Sequence, residues 1–106
     1  MARRQSPRAK RRALERARAK LAEQRRKLAA LEPGGSAERP VDLESAALVE
    51  PRAEAAECLA CGAPARVVEH VANVVDERRL RIATTRCARC GEQRIWYFRL
   101  VANAPS

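Results

Sequence analysis

Cys58-Leu59-Ala60-Cys61-Gly62 and Cys87-Ala88-Arg89-Cys90-Gly91 are two copies of one short pattern, and together they use all four cysteines of the chain. Two residues between thiols is the spacing at which a tight turn aims both sulfurs at one metal ion. The glycine after each second cysteine permits the positive φ such a turn needs. Two turns of this kind supply four thiolates, the closed tetrahedral set of a structural zinc site. The expectation is one structural zinc ion bound by Cys58, Cys61, Cys87 and Cys90. Iron also accepts four sulfurs, so the spacing leaves zinc and iron both open.

The competing chemistry of paired cysteines fits less well. The chain opens Met1-Ala2-Arg3-Arg4-Gln5-Ser6-Pro7-Arg8 with no apolar stretch behind it, so no secretory signal is expected. The expected setting is therefore intracellular, in the cytoplasm, where thiols stay reduced. A redox Cys-x-x-Cys belongs at a helix start inside a βαβ unit, and no such unit is visible. His70 is the sole histidine. A complete cysteine set leaves it no ligand role, and it reads as structural.

These thiols need elements to bring them together, and the charge pattern divides the chain. The 106 residues carry a net charge of +9. Residues 1–31 hold 12 basic and 2 acidic residues, a net +10. Residues 32–57 come to −5 and residues 58–106 to +4. The reading is a basic helical arm at 1–32, an acidic linker with a possible short helix at 33–57, a metal module at 58–101 and a tail at 102–106. So short a module commonly needs a metal to fold. No apolar run is long enough to cross a membrane.

Ser6-Pro7 suits a helix start, with Ser as cap and Pro at the first helical position. Strong helix formers fill Arg8 to Glu32, and Pro33-Gly34-Gly35 ends the run. Leu14, Leu21 and Leu28 recur at heptad spacing, with Ala17, Gln24 and Leu31 three places further on. That stripe is too short for a firm coiled coil. The remaining surface is basic: Arg3, Arg4, Arg8, Lys10, Arg11, Arg12, Arg16, Arg18, Lys20, Arg25, Arg26 and Lys27. Such density repels itself, and an anionic partner relieves it. Nucleic acid is expected, because neutralised phosphates release counterions without any need for a core. RNA is favoured over DNA for an arginine-rich segment that folds on binding. Within the linker, Val41 to Val49 is read as two helical turns stopped by Pro51, with one more turn from Arg52 to Glu57.

In the metal module, Arg66 to Val75 is rich in β-branched residues and Leu80 to Thr85 alternates, with Asp76-Glu77-Arg78-Arg79 as the turn between them. Arg94 to Val101 reads as a third strand, with Trp96, Phe98 and Leu100 on one face and Ile95 and Tyr97 on the other. The fold class expected is a small metal-stabilised α+β protein: a basic helix, a linker and a three-stranded antiparallel zinc-bound sheet. The three aromatics are adjacent. Trp96 and Phe98 read as core, and Tyr97 as a candidate stacking surface for bases. Arg86 and Arg89 beside the second knuckle are candidate phosphate contacts.

Two Cys-x-x-Cys-Gly knuckles, a long hairpin and a final strand resemble the zinc-ribbon superfamily over about residues 56–101. Thr84-Thr85-Arg86-Cys87-Ala88-Arg89-Cys90-Gly91, with Trp96 following, is similar to the ribbon of the transcript-cleavage factors of archaeal and eukaryotic RNA polymerases. That likeness implies a role for Asp76 and Glu77, since the family helps hold a catalytic magnesium with an Asp-Glu pair at its hairpin tip. This chain departs from the family pattern. Asn73-Val74-Val75 stands where the family has Arg-Ser-Ala, and the acidic pair lies further from Thr84-Thr85.

No base–nucleophile set and no open metal site is visible, so the chain is read as a non-catalytic module with no small-molecule substrate. The expected function is binding to nucleic acid, or to a nucleic-acid machine such as a ribosome or RNA polymerase, through the basic helix. The alternative is a protein–protein adaptor that docks through the helix and the ribbon.

Overall fold

The computed structural model describes residues 6–102. Helix α1 runs Pro7–Leu31, with the Ser6 hydroxyl accepting from the Ala9 N–H at 3.1 Å and Pro7 in the first turn. It ends where Glu32 turns extended. After a turn-rich loop come strand β1 (Val41–Leu43), a single 3-10 turn (Ala46–Leu48) and helix α2 (Val49–Glu54). Strands β2 (Ala65–Val75), β3 (Arg78–Cys87) and β4 (Gln93–Leu100) follow.

The sheet has four strands in the order β1-β4-β3-β2. The β2-β3 and β3-β4 pairings are antiparallel, while β1 lies parallel to β4, with Val41 opposite Phe98 and Leu43 opposite Leu100. This corrects the three-stranded antiparallel expectation and moves Val41 to Leu43 from helix to strand. The reason lies outside the segment. The free edge of β4 would leave a row of backbone donors and acceptors unpaired. The extended Val41-Asp42-Leu43 segment satisfies part of it, and the Val101 N–H donates to the Leu43 carbonyl at 2.8 Å. Arg99 then clasps Asp42 with two hydrogen bonds at 2.8 and 2.9 Å, which hold the carboxylate below its ordinary range. Pro51 does not stop a helix. It sits in the first turn of α2, where its missing N–H has no intrahelical partner to lose.

One face of the sheet is covered by α2, which packs on β2 and β3. Val49, Ala53, Ala83, Trp96 and Phe98 form the buried cluster, with Val41, Leu43, Ala56 and Val67 against it. Trp96 stacks on Phe98 with ring centroids 6.1 Å apart. The Arg94 guanidinium lies 3.9 Å from the Trp96 ring centroid. Gly34 comes so close to this ring that a Cβ there would sit 2.8 Å from Trp96 Cε3. The aromatic pair is core, as the alternation in the last strand implied, but Leu100 at the strand end is exposed.

The β2-β3 turn is tighter than the four-residue reading. Val75 pairs with Arg78, so only Asp76 and Glu77 turn the chain, with φ of 49° and 65°. Two successive positive φ values match the right-handed twist of a hairpin. They are strained for these side chains, which carry a Cβ that glycine lacks.

Candidate metal centre

The two knuckles are structural copies. In the first, the Gly62 N–H donates to the Cys58 carbonyl and the Cys58 N–H to the Ala63 carbonyl, each at 2.9 Å. In the second, the Gly91 N–H donates to the Cys87 carbonyl and the Cys87 N–H to the Glu92 carbonyl, again at 2.9 Å. Gly62 and Gly91 take φ of 78° and 80°, which explains the glycine in both motifs. Knuckle one precedes β2. Knuckle two joins β3 to β4, so the antiparallel pairing of Ala65 with Cys87 brings the turns face to face at one end of the sheet.

The four Sγ atoms lie within 4.8 Å of one another. Cys58 and Cys90 are 3.5 Å apart, as are Cys61 and Cys87. A tetrahedron with metal–sulfur bonds of about 2.3 Å has edges of about 3.8 Å, so the cluster has the size of a four-thiolate metal site. Cys58 and Cys87 are buried, and Cys61 and Cys90 are exposed. Backbone N–H groups of Cys90 and Arg89 favour the Cys87 thiolate and bring it down to about 6. The Glu92 amide favours the Cys90 thiolate too, but the adjoining thiols and burial outweigh it and push Cys90 up to about 12. Crowded sulfurs thus accept one negative charge readily and resist the next. A divalent cation removes that resistance, so the donor set fits a metal.

Helix α1 lies beside these turns along its C-terminal half. Arg26 makes a two-pronged ion pair with Glu92, the residue after Gly91, with Nη2 at 2.8 Å from Oε1. That pairing lowers the Glu92 carboxyl below its ordinary range. Arg25 donates to the Leu59 carbonyl inside knuckle one at 3.4 Å. Ala22 and Ala29, seven residues apart, are the buried residues of the helix. Arg18, Leu21 and Arg25 share a cleft with Ala60, Cys61, Arg89 and Cys90.

The sequence-selected basic residues therefore separate. Arg25 and Arg26 reach the knuckles, and Lys27 pairs with Glu23 at 3.6 Å. Arg8, Lys10, Arg11, Arg12, Arg16, Arg18 and Lys20 are exposed. Among the described residues none of these seven lies within ion-pair distance of a carboxylate. Arg3 and Arg4 lie outside the described residues. Arg86 is exposed on β3 opposite Gln93 and Arg66, and Arg89 is exposed in knuckle two. Tyr97 is half-buried opposite Ile82, on the sheet face away from Trp96.

Asp76 and Glu77 occupy the hairpin tip, exposed, with the metal cluster at the other end of β3. His70 Nδ1 is 3.4 Å from the Glu50 carboxylate, and it is not among the clustered ligands. Glu92 was not singled out in the sequence. Its pairing with Arg26 across 66 positions leaves no local signal. The burial of Ala22 and Ala29 was hidden behind the larger leucines.

Among the described residues no helix is long and apolar enough to cross a membrane. No protein-family model, curated protein or solved structure matches this chain.

Proposed function

We propose that this chain is a zinc-ribbon-type binding module without catalytic activity, and that it binds nucleic acid, alone or inside a ribosome or RNA polymerase. Cys58, Cys61, Cys87 and Cys90 would hold one zinc ion, which cross-links the two knuckles and fixes the end of the sheet. The observation that carries the reading is the division of labour within α1. Its C-terminal half anchors on the knuckles, and the seven cations before it are exposed, with no carboxylate in ion-pair distance among the described residues. Exposed cations without acidic partners on a rigid helix are the electrostatic footprint of a phosphate binder. Arg89 beside Cys61 and Cys90 extends that basic surface onto the metal module. Elemental analysis tests the metal, with one zinc per chain expected and iron as the alternative result. A salt titration of RNA and DNA binding tests the rest: affinity should fall steeply with salt, and deleting residues 1–31 should remove most of it.

The adaptor reading rests on a different feature. Leu14, Leu21, Leu28 and Leu31 are all exposed on α1, an uncovered apolar stripe beside the docked face. A protein partner on that stripe would bind with little salt dependence, and Leu21→Asp would abolish its capture.

A further inference from the structure

The free half of α1 differs in one respect from a helix built to lie on a surface. From Pro7 to Lys20 every residue except Ala9 and Ala13 is exposed. At 1.5 Å per residue this stretch spans about 21 Å. Seven basic residues fall between Arg8 and Lys20. At about 100° per residue they are spread around the whole circumference, with no gap wider than about 80°. Arg11 and Arg18 point to one side, and Arg16 and Lys20 to nearly the opposite side. A membrane-surface helix would need a broad apolar face, yet Leu14 is the one large apolar residue of this stretch. A helix laid on a single strand or a flat anionic surface would leave about half of these cations unpaired.

We propose that this projecting half of α1 seats in the major groove of B-form duplex DNA, with cations on its opposite sides reaching the phosphates of the two bordering strands. The inference rests on the nucleic-acid reading above and names the form of the partner. The B-form major groove is about 12 Å wide and admits a helix of about 10–12 Å diameter. The major groove of regular A-form RNA is deep and narrow and excludes one. The sequence preference for RNA depended on an arm that folds on binding. An arm already helical, anchored through Arg25, Arg26, Ala22 and Ala29, suits a groove that already exists. The stretch has no Asn or Gln, the side chains that read adenine, so any base readout in the groove would be of guanine by Arg or Lys.

The test is fluorescence anisotropy on full-length, zinc-loaded protein with three labelled probes of one sequence: a 20-base-pair DNA duplex, the RNA duplex and single-stranded DNA, each across a salt series. Seven neutralised phosphates give a log–log slope of about −6 on duplex DNA, against about −2 to −3 for a single strand that meets half of them. Arg11→Gln with Arg18→Gln, and separately Arg16→Gln with Lys20→Gln, should each weaken duplex binding and each flatten its slope by about 2. All four side chains are exposed, so these variants should fold. Equal affinity and slope for single-stranded DNA or the RNA duplex would overturn the groove and leave the nucleic-acid reading standing. So would an effect confined to one of the two pairs, which would mean a helix lying on a surface. Absence of binding to all three probes would overturn both.

Discussion

Removing the metal proposed for the four-cysteine cluster should unfold the C-terminal module and release the basic helix with it. The large, nearly fully buried apolar side chains of the chain are Val49, Leu80, Trp96 and Phe98. At about 1.5–3 kcal/mol each, they contribute about 6–12 kcal/mol of gross burial. Structural zinc in small modules contributes about 10–16 kcal/mol of apparent binding free energy at neutral pH. Net stabilities of whole domains are only about 5–15 kcal/mol. Losing the metal therefore removes an amount comparable to the whole net stability of such a fold. The knuckles that hold Arg25 and Arg26 lose their geometry at the same time, so α1 should detach and fray. The assay is a chelator titration followed by two-dimensional amide spectra, repeated with Cys87→Ser. Signals of residues 58–101 should collapse, and protease should begin to cut between Arg18 and Leu31. Native amide dispersion in metal-free buffer, with an unchanged melting temperature, would refute the reasoning.

Phe98→Ala, at a fully buried position in the central cluster, should cost about 3–5 kcal/mol in urea unfolding. Glu77→Gly should stabilise the hairpin by about 1 kcal/mol, because glycine accepts the 65° φ that Glu77 is forced into; an unchanged or lowered melting temperature would argue against that turn geometry. Ser6→Ala removes the N-cap acceptor of Ala9 and should cost about 1 kcal/mol of helix stability, seen as faster amide exchange in the first turn. Glu92→Gln weakens the clasp on Arg26 and should expose the C-terminal half of α1 to trypsin while the cysteine module keeps its metal. Unaltered cleavage would mean that Ala22 and Ala29 suffice to hold the helix.

Several features were fixed by local chemistry and were legible in order along the chain. The clustering of the four cysteines follows from spacing, since a knuckle is closed by hydrogen bonds within six residues. The α1 boundaries follow from Ser6-Pro7 at one end and Pro33-Gly34 at the other. The three long strands follow from alternation and β-branching. Other features were decided by contacts between distant segments. Val41 to Leu43 is extended because the edge of β4 needed partners and because Arg99 lay opposite Asp42. Its own residues suit a helical turn nearly as well. The anchored half of α1 is set by Arg25 at the Leu59 carbonyl and Arg26 at Glu92, with Ala22 and Ala29 as its buried positions. The leucine stripe, the louder signal in the sequence, stays in solvent. Burial and charge pairing across many tens of residues choose among options that local propensity leaves nearly equal in energy, and here those choices decided which half of the basic helix is held and which half is free.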